Sequence, residues 1–319
     1  MNLFKAEKAQ IGFLAVEKLN LIYSFLTTLL IIIFYNRLAE PQTMFFARFF
    51  ILVGTFAVIY LYTKFPSRAT VYLRIFFQMS LLSYWYPETF EFNRMFPNLD
   101  HLFASLDFNL FGCQPAIVFE QVCSSDFWRE AFNMGYWLYY PMILVISTYY
   151  FFARPKEVER CTFIILSSFF IYYFIYMFLP VAGPQFYFPV IGEDAAAVGC
   201  CPEIGNYFSL HPEITIAQEG KGGLFTELVC MAQSAGERPT AAFPSSHIGV
   251  TTIIVLLAYR ANRKLFAIMF PIYLLLCCAT VYIKAHYLVD AIAGVVTGVL
   301  FYWITAWVYR KWFAVGGEN

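Results

Sequence analysis

An all-α, polytopic integral membrane bundle of about eight transmembrane helices is the fold class the sequence predicts, on three observations. First, the 319 residues are 60% hydrophobic and only 13% charged, with a mean hydropathy of +0.62. A soluble domain carries roughly a quarter charged residues, so this composition suits lipid as solvent. Second, apolar runs recur at the roughly 17–25 residues that cross a bilayer as a helix. In lipid the backbone must satisfy its own hydrogen bonds, which makes helices the natural form. Third, basic residues sort unequally between the two ends of these runs.

The runs, in order, are 19–35, 45–65, 71–86, 132–152, 161–179, 244–263, 265–283 and 287–309, the third being the shortest. Lys5, Glu7, Lys8, Glu17 and Lys18 precede the first, and no small-residue cleavage site follows it. That run is therefore expected as a retained anchor. Odd-numbered runs leave the N-terminal side, and 14 of the 21 basic residues then fall on that side. The asymmetry places both termini in the cytosol. The opposite face is the periplasm, if the membrane is a bacterial inner membrane, or the Golgi lumen in a eukaryote. Cys113, Cys123, Cys200, Cys201 and Cys230 fall on that oxidising face, where either disulfides or buried free thiols fit. Net charge is zero and no basic tract or nucleic-acid motif is present, which excludes nucleic acid as a partner class.

Two regions do not span. PNLDHLFASLDFNLFG spaces Leu99, Leu102, Phe103, Leu106 and Leu110 along one helical face. That pattern predicts an amphipathic helix in the membrane interface, or equally one packed beneath the far-side loop. Asp100, His101, Asp107 and Asn109 fall mostly off that face, and His101 and Asp107 are expected as solvated polar groups. The stretch 181–243 is rich in Gly, Pro and acidic residues. A loop of that length is usually functional or disordered, so it is expected to form a non-cytoplasmic cap. Its Glu193, Asp194, Glu219, Glu227 and Glu237 either bond sugar-like hydroxyls or are solvated. Residues 1–128 thus read as N-terminal helices plus the interfacial segment, and 129–313 as a catalytic bundle carrying the cap.

Two short stretches carry the chemistry. In KAHYLVD, His286 and Asp290 are four apart and share a helical face. A carboxylate bonded to one imidazole nitrogen leaves the other as nucleophile or base; a structural ion pair at a helix end explains the spacing about as well. In FPSSH, Pro244 suits a helix start and Ser245 or Ser246 its cap. First-turn amides there make a site suited to phosphate, and His247 stands in that turn. Ionisable groups in membrane spans are costly and point to function. Both histidines open helices on the same predicted face.

These residues resemble the type 2 phosphatidic acid phosphatase superfamily. FPSSH at 243–247 and HYLVD at 286–290 look like its second and third motifs, and LPVAGPQFYFP at 179–189 sits where it carries its first. The resemblance covers roughly residues 132–309. The common phosphatase branch has Lys, six residues, then Arg-Pro in the first motif, where GPQ stands here. It has Ser-Arg ahead of the third-motif histidine, where Ala279 and Thr280 stand here. ATVYIKAHYLVDAIAG is more similar to the branch of inositol phosphorylceramide synthases, with its T-x-Y before the histidine.

The resemblance implies a membrane lipid phosphotransferase that moves an inositol phosphate-like head group from a phospholipid to a lipid alcohol such as ceramide. A lipid phosphate phosphatase, acting on phosphatidate, a prenyl diphosphate or a lipid A phosphate with water as acceptor, is the competing expectation. In this scheme His286 is the nucleophile, Asp290 orients it, and His247 is the general acid and base. Ser245, Ser246, Lys284, Arg238, Gly183, Pro184 and Gln185 are expected around the phosphate. Lys284 serves equally as a snorkelling residue, and Gly183–Gln185 equally as a chain turn. No cofactor or metal is expected, since phosphoryl transfer here needs no cation and no dense carboxylate cluster accompanies the histidines. A transporter is the reading from another class, but no repeat symmetry is evident. Gly294 and Gly298 have the small-xxx-small spacing of close helix contact, expected within the bundle.

Overall fold

The computed structural model describes residues 3–6, 12–214 and 222–313; Glu7, Lys8, Glu219 and the rest of 215–221 lie outside them. Those residues are all-helical, without a strand. The N-terminal layer is α1 (Ala15–Ile33), α2 (Pro41–Lys64), α3 (Arg68–Ser80) and α4 (Leu82–Asn93). A bent pair follows, α5 (Asp100–Phe111) and α6 (Pro115–Val122), at 62° to each other. Next come α7 (Asp126–Trp137), α8 (Tyr139–Ala153) and α9 (Val158–Phe178). The segment 181–243 is not a coil but carries α10 (Pro184–Ile191), α11 (Glu193–Ala197), α12 (Tyr207–Leu210) and α13 (Leu224–Gly236). The chain closes with α14 (Ser246–Ala261), α15 (Arg263–Tyr282) and α16 (Leu288–Trp312).

Five of these, α1, α2, α9, α15 and α16, are long and apolar enough to cross a membrane, or six if the bent pair is one span. This fits an integral membrane protein, with fewer unbroken spans than the eight runs predict. The run 132–152 is interrupted at Leu138, between α7 and α8. Pro141 explains the break, because it has no N–H for the Trp137 carbonyl and its ring crowds that group. The run 71–86 divides at Leu81, and the run 244–263 yields only the 16 residues of α14.

α9 is the axis of the bundle. Residues 161–170 are buried without interruption, the mark of a helix covered on all sides. α1, α3, α4, α8, α14 and α16 pack around it. The N-terminal layer holds two dry ion pairs: Arg48 grips Glu88 through two 2.7 Å bonds, and Arg74 grips Glu17 at 2.6 and 2.7 Å. Buried charges of this kind persist only when paired and hydrogen-bonded.

The contact that positions the site is α14 against α16. A Cβ on Gly298 would stand 2.6 Å from the Gly249 carbonyl oxygen, and one on Gly294 2.7 Å from that of Ser245. The small-residue stripe of α16 therefore lets two backbones touch within the chain. It also draws the starts of both helices, and so both histidines, to one end of the bundle.

Candidate active site

Ser245 is the N-cap of α14, its Oγ accepting from the Ile248 amide at 3.4 Å. His247, in the first turn, packs its ring between Tyr136 and Tyr139, with centroids 4.7 and 4.6 Å away. The His286 ring lies 5.9 Å from it, centroid to centroid, at 63°. Two imidazoles 39 positions apart are thus brought side by side.

His286 is 4% exposed and its tautomer follows from its partner. Nδ1 lies 2.7 Å from the Ala242 carbonyl oxygen. A carbonyl only accepts, so Nδ1 carries the proton and Nε2 keeps its lone pair. Burial pushes this imidazole down to about 4, against the upward pull of the Ala242 bond, so it is neutral near pH 7. The direct carboxylate–imidazole bond expected from the four-residue spacing is not formed. Asp290 Oδ2 is 3.8 Å from Nδ1, and it accepts instead from the Tyr287 amide at 2.9 Å. Asp290 stands near His286 without bonding it, because its Oδ2 closes the N-terminus of α16.

The other expected phosphate groups divide. Ser246 lines a cavity next to His247, but its amide donates to the Tyr176 hydroxyl at 3.0 Å. The Ser245 amide donates to the Asp290 carbonyl at 3.2 Å. The capping pattern predicts both amides aimed at a ligand, but the tight α14–α16 contact and Tyr176 take them up instead. Gly183 has φ +94 and stands where any Cβ would come 2.6 Å from the Ala285 carbonyl oxygen. Only glycine fits there. Pro184 starts α10, and the Gln185 amide donates to the Lys284 carbonyl at 2.7 Å. The Gln185 side chain gives Nε2 to Glu237 at 2.8 Å and receives Gln233 at 3.2 Å. Lys284 does not reach the histidines. Its ammonium bridges Glu193 at 2.6 Å and Glu120 at 2.8 Å, pulled outward by two carboxylates that the sequence pattern did not associate with it. Arg238 is exposed.

The cavity holds about 540 Å³ and is mostly apolar. Tyr72, Phe76, Met79, Leu144 and Phe169 line its greasy part, and Ser246, His247, Tyr140 and Glu237 its polar end. Burial pushes the Glu237 carboxyl up to about 7, against the bonds from Gln185 and Gln233. No Lys or Arg lines this cavity among the described residues.

Sequence reasoning missed the acidic face of α5. Leu102, Leu106 and Leu110 are 54%, 43% and 61% exposed, whereas Asp100 and Asp107 are 0% exposed. The helix forms where expected but turns its aspartates inward, so they are not solvated. Asp100 accepts from the amides of Ala182 and Gly183, both at 2.7 Å, from the Tyr287 hydroxyl at 2.9 Å and from Asn98 at 2.5 Å. Asp107 accepts from the amides of Leu288 at 2.8 Å and Val289 at 3.0 Å. The signal was there in the spacing: seven residues apart, the two share one helical face. All eight cysteines, including the five on the predicted oxidising face, are free thiols.

A membrane-type helical bundle with one imidazole, His247, lining an apolar cavity and a second, His286, 5.9 Å from it is an arrangement suited to group transfer on a greasy substrate. Residues 103–304 match the family model of the PAP2 superfamily, and the chain belongs to that superfamily. It is a phosphatase or phosphotransferase. No curated protein and no solved structure matches the chain.

Proposed function

We propose that the protein is a lipid phosphotransferase that moves a phospho-alcohol head group from a phospholipid to a lipid alcohol, through a phosphohistidine on His286. The observation that carries this choice is the absence of any basic side chain along the described cavity. A phosphomonoester or diphosphate brings two or more negative charges and calls for several cations. A phosphodiester brings one, which a single His247 balances once it takes up a proton together with the bound anion. The apolar walls suit acyl chains, within the roughly 300–1,000 Å³ usual for small-molecule sites. Following the resemblance of ATVYIKAHYLVDAIAG, the donor is a phosphatidylinositol-like lipid and the acceptor a ceramide-like alcohol. The site faces the periplasm or a lumen, with both termini cytosolic.

In the first half-reaction His286 Nε2 forms a bond to phosphorus as the P–O bond to diacylglycerol breaks. His247 gives its proton to the departing alkoxide. In the second, the acceptor hydroxyl gives its proton to His247, its oxygen bonds to phosphorus, and the Nε2–P bond breaks. The cationic phosphoimidazole is stabilised by Asp290 at 3.8 Å, as developing charge is best met by groups already in place. Glu237, neutral below about pH 7 and held by Gln185, bonds the oxygens of the head group or acceptor, and Ser246 bonds the phosphate.

The test offers purified protein labelled phosphatidylinositol with ceramide and, separately, phosphatidate with water, both in excess chelator. Labelled phosphosphingolipid with little free phosphate is the expected result. Orthophosphate from phosphatidate without any transferred product identifies a lipid phosphate phosphatase instead, and strict dependence on divalent metal rules out the metal-free scheme.

A further inference from the structure

The three loops that meet at His286 have no covalent link, yet they are knitted by specific bonds. Ala242 donates its amide to the Val181 carbonyl at 2.9 Å. His286 Nδ1 bonds the Ala242 carbonyl, and Gln185 bonds the Lys284 carbonyl. One element outside these loops touches two of them at once, and it is α5. Asp100 holds the Ala182–Gly183 corner and, through Tyr287, the residue next to His286. Asp107 takes the two amides, Leu288 and Val289, that open α16. Both carboxylates are fully buried, and each oxygen of both has a partner.

We propose that Asp100 and Asp107 are positioning residues for phosphoryl transfer: α5 clamps the first-motif corner to the start of α16 and so fixes where His286 Nε2 stands relative to His247. The carboxylates touch backbone amides and a tyrosine, not substrate. The arrangement accounts for two otherwise odd facts. A helix with an exposed leucine face turns two charges inward, a costly act in a membrane protein unless those charges are hydrogen-bonded. And the N-terminus of α16, a ready anion site in isolation, is closed to phosphate because Asp107 and Asp290 occupy its amides. Phosphate is thereby directed to the α14 side, where Ser246 and His247 line the cavity. Misplacing a reacting group by about 1 Å costs on the order of 100-fold in rate, so a clamp acting on the His286 loop has its effect in kcat.

The experiment compares Asp107→Asn, Asp107→Ala and Asp100→Asn with wild type in two measurements. Hydrogen exchange of the peptide spanning 286–291 reads the clamp without reference to activity. Turnover per folded molecule, on whichever phosphate ester the wild type uses, reads the consequence; this half rests on the proposed function. Expected are faster exchange at Leu288 and Val289 in both Asp107 variants and a ~10- to 100-fold loss of kcat with KM within about threefold. Asp107→Glu, which keeps the charge, is expected to restore part of the rate. Unchanged exchange at these amides overturns the clamp whatever the enzyme's substrate is. Faster exchange with kcat per folded molecule within about twofold of wild type also overturns it, since α5 would then be structural support alone. Failure of wild type to transfer a head group overturns the proposed reaction and leaves the exchange result standing.

Discussion

The N-termini of α14 and α16 both carry a histidine, lie side by side, and are built in opposite ways. α14 opens on a cavity: its cap is a neutral serine, and His247 sits between two tyrosine rings with no carboxylate bonded to it. α16 opens into the protein interior: Tyr287, Leu288 and Val289 give their amides to Asp290 and Asp107, and His286 is tied by Nδ1 to a backbone carbonyl. One imidazole lines the cavity, where the proposed mechanism has it exchange protons with a ligand. The other has its Nδ1 proton pinned to that carbonyl, which leaves Nε2 as its remaining nitrogen. Phosphoryl transfer through a covalent intermediate calls for two unlike histidines, one attacking as the neutral ring and one that takes up a proton when the anion binds.

Substitutions break this comparison in graded ways. The largest loss is expected at His286. His286→Asn retains an N–H for the Ala242 carbonyl but has no attacking nitrogen, and turnover should fall on the order of 10⁴-fold or more. His247→Ala comes next, at about 10²–10⁴-fold, with a telling exception: substrates whose leaving group needs no proton should be largely spared. A smaller effect separates the cavity's acidic group. Glu237 is held up to about 7 by burial, so it is neutral below that pH and becomes charged above it, where it repels phosphate. kcat/KM should therefore decline as pH rises through about 7, and Glu237→Gln should remove that decline. On the acid side, His286 at about 4 stays neutral, so activity lost through its protonation should appear only near that value and not near 6.5. The smallest effects are expected for Lys284→Ala and Arg238→Ala, each within about threefold in kcat/KM, because rim or outward-facing charges contribute little. A large loss at either would restore it as a phosphate ligand and weaken the case for a diester donor.

Much of the architecture was legible because lipid imposes simple demands. Run length and polarity marked α1, α2, α9, α15 and α16, and the Gly294–Gly298 spacing marked the close contact with α14. Breaks within runs were harder to see, since a helix interrupted at Leu138 is as apolar as a continuous one. The pairing of the two histidines was legible from their motifs. The partners of each were not. A four-residue spacing allows His286 and Asp290 to bond, but whether they do depends on a carbonyl 44 positions away that competes for the same nitrogen. Lys284 failed for a related reason: nothing in the local pattern says that Glu120 and Glu193 will draw the lysine out. The shared face of Asp100 and Asp107 was readable from their spacing, but not the loops that face would meet.

Chemical trapping of the intermediate bears most directly on the central claim. Donor lipid labelled in its head group is mixed with protein, quenched in alkali to preserve phosphoramidate, and the labelled peptide is sequenced. Label on His286, absent in His286→Asn and chased off by added lipid alcohol, is the predicted result. Label on His247, or full turnover by His286→Asn with no labelled histidine, would contradict it.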